Sequence, residues 1–233
     1  YNAAYSLVFS LVFFSNALNT SLYPSISRES VRNPTNLPRI YSRVIRYLAI
    51  ASLPIAFGAT ALASKIIPFL YGQKYLEAIP AFRILIWVLP LMFFSEFLGY
   101  VVVIDNKEKY VARAVLISTS LNVLFNLLLV PRFGLMAAAS MTVFTEIVLV
   151  SQYIFSVRGS LKQIQWSKSI VKPVIAAFIM AVLVVVADKY LSLFVCIAFG
   201  ALIYLALLII LRIFGIEEFR WALSLRKGQD TSV

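Results

Sequence analysis

Two carboxylates, Glu96 and Glu146, stand inside long apolar runs of this sequence, and neither has a basic residue within a turn or two of its own helix. A charged side chain in hydrocarbon is costly and rarely kept without a reason. Each glutamate must therefore be protonated, face a wet cavity, bind a cation, or pair with another helix. The first three options make proton or cation binding the chemistry to look for. The plainer option is a neutral carboxyl hydrogen-bonded to a neighbouring helix. Thr142 and Tyr153 lie four and seven residues from Glu146 and share its helical face. Glu96 is close in sequence to Pro90, Gly99 and Tyr100.

Asn122 and Asn126 are four apart, so both amides project from one helix face, and Thr119 extends it. Such amides either glue helices together, at about 1 kcal/mol per interhelical bond, or touch a polar substrate. A third stripe opens the chain, where Asn2, Tyr5, Phe9, Phe13, Asn16 and Thr20 follow steps of three and four. Amide and aromatic groups together would suit the wall of a sugar-accommodating cavity; contact with another helix is the alternative. Arg83 and Lys65 come at helix ends, where long cationic side chains snorkel to the interface.

These residues have to be positioned by membrane helices. Of 233 residues, 61% are hydrophobic and only 13% charged, against roughly 25% charged in soluble domains. Seven apolar segments are long enough to cross about 30 Å of hydrocarbon. They are expected at about Tyr1–Tyr23, Arg46–Phe69, Ala81–Ile104, Tyr110–Val130, Gly134–Val157, Ile170–Ala187 and Tyr190–Ile213. The runs are continuous, not alternating, which argues against barrel strands. The fold class is thus all-α, a polytopic bundle of about seven spanning helices. Residues Ile216–Lys227 are expected to lie along the membrane surface as a short amphipathic helix.

The net charge of +11 would point to nucleic acid in a soluble chain. Here the charges fall between apolar segments, so membrane orientation explains them and no nucleic-acid partner is expected. Of the 21 basic residues, 16 belong to one set of connections and five (Lys65, Lys74, Arg83, Arg132 and Lys189) to the other. The positive-inside rule then places the C-terminal tail in the cytoplasm and Tyr1 outside. An external start after an odd number of crossings requires an earlier crossing, so the chain is expected to be the C-terminal part of a longer polypeptide. Pro54 and Pro90 fall inside the second and third expected helices, where each removes a backbone hydrogen bond; they are hinge candidates, or simply tolerated bends.

Enzyme chemistry has little to work with. Histidine is absent, and Cys196 is the one cysteine. No metal-ligand cluster, phosphate-cradling glycine loop or Ser-His-Asp set is present, so no metal, cofactor or catalytic residue is expected.

One stretch carries a resemblance. NVLFNLLLVPRFGLMAAASMTVFTE, Asn122 to Glu146, is similar to the hallmark of polysaccharide flippases, the O-antigen and teichoic-acid type exporters. That hallmark is an Asn-rich helix, an IP-x-(F/Y)-G turn, a small-residue helix start and a T-x-x-(T/S)-E ending. YNAAYSLVF with SLYPSISR resembles the family's first helix of this region and its P-x-(I/L)-S exit. IIPFLYGQKYLEAIPAFRIL resembles its LYG-x-x-Y-x-x-A segment. The matches run in order from about Tyr1 to Val150; the last two helices match only in hydropathy.

The resemblance implies the last seven of fourteen helices of a two-lobed exporter in the cytoplasmic membrane. Residues 1–157 would be five helices of the second lobe, 158–213 an appended helix pair, and 214–233 the cytoplasmic tail. The first lobe of the same polypeptide would be a partner, along with membrane lipids. The implied activity is alternating access that moves a lipid-linked oligosaccharide or polysaccharide unit outward, with H+ or Na+ as the coupling ion. Asn16, Glu96, Asn122, Asn126 and Glu146 would then be candidates for the inner surface, and Asn2, Tyr5 and Arg83 weaker ones. A pyrophosphate-linked substrate calls for cations, yet no Lys or Arg lies deep in a span. The missing lobe, Arg83 or the cytoplasmic arginines would have to supply them. Two rivals stay open: a multidrug cation antiporter of the same superfamily, and a membrane-embedded polysaccharide polymerase.

Overall fold

The structure is a computed structural model that describes residues 26–213 except 163 and 165, and before them residues 8–10, 13, 20 and 24. Asn2, Tyr5 and Asn16, with most of the expected first helix, lie outside the described residues, as does the expected surface helix of the tail. Among the described residues every regular element is helical. A 3-10 turn over Pro34–Asn36 leads into α1, Leu37–Tyr71. After a 3-10 segment, Gln73–Ala78, come α2 (Ile79–Leu85), α3 (Val88–Ile104), α4 (Glu108–Ser156), α5 (Lys172–Ala187) and α6 (Leu193–Ile210). Five helical stretches among the described residues are long and apolar enough to cross a membrane.

α1 is the hub. Its 35 residues make a rod of about 52 Å, which overhangs the hydrocarbon. The sequence pattern starts this helix at Arg46, but the fold starts it nine residues earlier. The overhang is kept because Tyr41, Val44, Ile45 and Leu48 are buried against Phe93, Phe97 and Val101 of α3. Pro38 sits in the first turn, where its missing N–H costs nothing. At the other end Gly72 takes φ +85°, and its N–H bonds Pro68 O at 2.9 Å. A positive φ is cheap only for glycine.

On one side α1 packs against α2 and α3; on the other it packs against α5 and α6. Leu53 and Leu62 of α1 share a core with Ala177, Met180 and Val184 of α5 and with Tyr204 and Leu208 of α6. The final two helices are therefore fastened to the same hub as the rest of the bundle. Gly200 of α6 lets α5 come close: a Cβ there would stand 3.0 Å from Val184 Cγ2.

α4 is nominally one helix of 49 residues, about 73 Å if straight. It is not straight. Gly134 has φ +57° and ψ −136°, and residues on either side of it meet. Asn122 Nδ2 donates to Thr145 Oγ1 at 3.0 Å, Gln152 Nε2 donates to Ser118 Oγ at 3.2 Å, and the rings of Phe125 and Phe144 are 5.9 Å apart. Each pairing is centred near Gly134, so α4 is an antiparallel hairpin of two arms, residues 108–133 and 135–156. These arms are the expected fourth and fifth spans. The hairpin packs on α3 and α2, at the opposite flank from α5 and α6.

Pro54 and Pro90 have different surroundings. Pro54 lies inside α1 and leaves the carbonyl of Ile50 without its i+4 donor. Tyr204 of α6 reaches across and donates its hydroxyl to Ile50 O at 3.2 Å. Pro90 instead stands in the first turn of α3, because the helix breaks at Ile86 and Trp87. There the carbonyl of Ile86 accepts from Leu89 N–H at 3.1 Å. The proline ends one helix and starts the next, where the sequence pattern expects one continuous span.

Three lysines fasten helix ends. Lys65 Nζ donates to Asp188 O and, at 2.7 Å, to Leu191 O, and pairs with the Asp188 carboxylate at 2.9 Å. Lys107 Nζ bonds Ser156 O at 2.8 Å, and Lys172 Nζ bonds Leu211 O at 2.9 Å. Each cation meets carbonyls at or just past the C-terminal end of a helix, the negative end of its dipole. Snorkelling alone does not describe Lys65, which also has these partners.

Candidate functional site

The polar groups within the spans gather on the second arm of α4, in two parallel rows. Glu146 and Tyr153, seven apart, face α3; Thr145 and Gln152, also seven apart, face the first arm. Seven residues are close to two helical turns, so one register serves both rows.

In the first row, Ser95 of α3 donates its hydroxyl to Glu146 Oε1 at 2.5 Å and also reaches Met92 O at 3.3 Å. Glu96 is the next residue of α3. Tyr153 is buried, and its ring lies 3.7 Å from where a Cβ on Gly99 would be. Glu96 and Glu146 are both half-buried, and the Ser95 bond places the helices that carry them side by side. A carboxylate so placed can take up a proton or a cation.

The second row ties the hairpin. Asn122 bonds Thr145, whose hydroxyl also donates to Met141 O at 2.9 Å, and Asn126 Nδ2 donates to Asn122 Oδ1 at 3.0 Å and Asn122 O at 2.8 Å. Gln152 adds contacts to Ser118 and, at 3.4 Å, to Ala114 O. Asn122 ties the two arms together, and Asn126 steadies Asn122 from its own arm. Thr142 is satisfied by its own helix, donating to Ala138 O at 2.8 Å.

Arg83 is exposed in the last turn of α2, at the end of the bundle that also holds Lys65, Lys74, Arg132 and Lys189. It is not brought to the carboxylates. The other described basic residues, from Arg28 to Arg212, belong to the opposite end. There Ser169 Oγ meets Ser42 O at 3.1 Å and Ser160 Oγ meets Asp105 Oδ2 at 2.8 Å.

Sequence reasoning passed over Ser95, Ser118, Thr145, Gln152 and Tyr204. Ser118 and Asn122 repeat the four-residue step of Asn122 and Asn126, a signal that was present. Ser95 and Tyr204 have no such local signal, since their partners are 51 and 154 residues away in sequence.

Residues 1–80 match the protein family described as polysaccharide biosynthesis protein. The chain is 26% identical over 214 residues to a probable low-salt glycan biosynthesis flippase of Haloferax volcanii, covering 88% of this chain and 45% of that protein. It is 29% identical over 151 residues to an uncharacterized membrane protein of Methanocaldococcus jannaschii, covering 64% of this chain and 29% of the relative. The chain thus spans less than half the length of these curated relatives. The helical bundle and these matches agree with a resemblance to polysaccharide flippases.

Proposed function

We propose that this chain forms the second half of a flippase that moves lipid-linked oligosaccharide or polysaccharide units across the cytoplasmic membrane by alternating access. The observation that carries the reading is the pair of half-buried carboxylates, Glu146 on α4 bonded by Ser95 of α3 and Glu96 next to that serine, in a membrane bundle whose residues 1–80 match a polysaccharide biosynthesis family. In this reading the pair takes up H+ or Na+ and couples a gradient to the movement of the lobe. Asn122 and Asn126 hold the hairpin that carries Glu146, and Asn2, Tyr5 and Asn16 line the glycan path. Pro54 is a bend in α1 latched by Tyr204, and Pro90 is the joint between α2 and α3. Arg83 or the first lobe supplies cations for a pyrophosphate-linked substrate. Residues 1–157 act as the moving lobe, 158–213 as an appended pair, and 214–233 as the cytoplasmic tail. The role is transport, not catalysis.

A second reading, export of cationic compounds by an antiporter, is favoured by the same carboxylate pair, since carboxylates also bind organic cations. Deletion of the complete gene that carries this chain separates the two. A flippase predicts loss of surface polysaccharide, with rescue by the intact gene. An antiporter predicts intact polysaccharide and sensitivity to cationic drugs, which would overturn the first reading.

A further inference from the structure

At the basic end of the bundle, the start of α4 and the turn after its second arm enclose a pocket of about 340 Å3. Three of its lining residues are cations, Lys107, Arg158 and Lys162, and two more, Tyr110 and Phe155, are aromatic. Like charges gathered around one hollow repel each other unless an anion joins them. The acid closest at hand is Asp105, 3.8 Å from Lys107 Nζ and bonded by Ser160 Oγ at 2.8 Å. Glu108 is exposed in the first turn of α4 and is matched by Lys109 beside it. One carboxylate against three cations leaves the pocket positive.

Two of the three cations are held. Lys107 is anchored to Ser156 O at 2.8 Å, and the Arg158 guanidinium lies over the Phe155 ring, 4.8 Å from its centre. Stacking occupies the guanidinium's flat face and leaves its N–H edge for an oxyanion. The pocket also opens beside the N-terminus of α4, whose unpaired N–H groups favour negative charge. Its depth matters as well. It sits where α3 has just ended and the second arm of α4 ends, and Tyr110 and Phe155 are 54% and 69% exposed there. Aromatic rings of this kind settle at the headgroup level of a bilayer. Basic pockets at that depth suit phosphate-bearing headgroups.

We propose that Lys107, Arg158 and Lys162 form a phosphate-binding pocket at the basic end of the bundle, taking a phosphate oxyanion borne by a phospholipid headgroup or by free pyrophosphate. The inference stands apart from the flippase reading, because it needs neither the carboxylate pair nor a glycan.

The test uses the complete polypeptide in nanodiscs of phosphatidylcholine doped with phosphatidylglycerol, with retained phosphatidylglycerol counted by native mass spectrometry. The double variant Arg158→Gln/Lys162→Gln is set against Arg32→Gln/Arg39→Gln, which removes equal charge from the same end but outside the pocket. The pocket variant should lose phosphatidylglycerol affinity by roughly thirtyfold, the outside variant should keep it, and Arg158→Lys/Lys162→Arg should restore most of it. A second arm titrates inorganic pyrophosphate onto protein in pure phosphatidylcholine by calorimetry. Saturable binding lost in the pocket variant assigns the site to free phosphate species; loss in the lipid arm alone assigns it to headgroups. Equal losses in both double variants, or no selective binding of either probe, overturn the proposal.

Discussion

Tyr204 and Ile50 show how single residues decide this fold. Pro54 frees a carbonyl in the middle of a membrane helix, and a hydroxyl from another helix takes it at 3.2 Å. Tyr204→Phe keeps the ring and removes the donor, so it should lower stability by about 1 kcal/mol, read as a lower Tm in detergent. The double variant Tyr204→Phe/Pro54→Ala should recover most of that loss, because alanine returns the backbone N–H. No recovery would mean that the hydroxyl does not serve Ile50. Asn122→Ala removes both the bond to Thr145 and the acceptor for Asn126. It should cost about 1–2 kcal/mol, while Thr119→Ala, on an exposed position nearby, should leave the Tm unchanged. The amides and acids were legible in the sequence as groups that needed a reason, since each interrupts an apolar run. Their partners were not, because a serine at position 95 looks the same whether or not a glutamate 51 residues later accepts from it.

Among the elements, the α4 hairpin depends on one backbone angle. Gly134 holds φ +57°, and a Cβ placed there meets nothing within 4 Å. Gly134→Ala should therefore cost backbone strain alone, about 1–3 kcal/mol, without any packing clash. Gly200→Ala is the converse: an ordinary helical glycine whose added Cβ would press on Val184 at 3.0 Å. It should destabilise the α5–α6 contact by about 1–3 kcal/mol, and Gly200→Ala/Val184→Ala should relieve it. Thermal melts of the three variants check both statements. The hairpin turn was readable from Pro-Arg-Phe-Gly between two apolar runs. The break at Ile86 and Trp87 was not, because hydropathy runs unchanged through it and only the position of Pro90 hints at a joint. The early start of α1 was hidden for a related reason: its overhang carries Arg39, Arg43 and Arg46 between buried apolar residues, so its average composition is that of a loop.

At the scale of the whole molecule, basic residues divide between the two ends of the bundle as the connections in the sequence divide them. In the proposed orientation the crowded end is cytoplasmic. With Cys196→Ala as background, cysteines placed at Arg39 or Lys162 should react with an impermeant maleimide only after cells are opened. Cysteines placed at Lys74 or Lys189 should react on intact cells, and the reverse pattern would invert the topology. The bundle and the family resemblance were legible because apolar length and ordered motifs need no tertiary information. The surroundings of Glu146 needed the fold, since Ser95 and Glu146 meet only when α4 doubles back against α3. What the two carboxylates do is best measured by flux: the complete polypeptide in proteoliposomes, translocating lipid-linked oligosaccharide with and without an imposed H+ or Na+ gradient. Intact protein should respond to one of the gradients, and Glu96→Gln and Glu146→Gln should each abolish that response while the protein still melts as intact protein does. Gradient-stimulated rates that are unchanged in both variants would contradict the account.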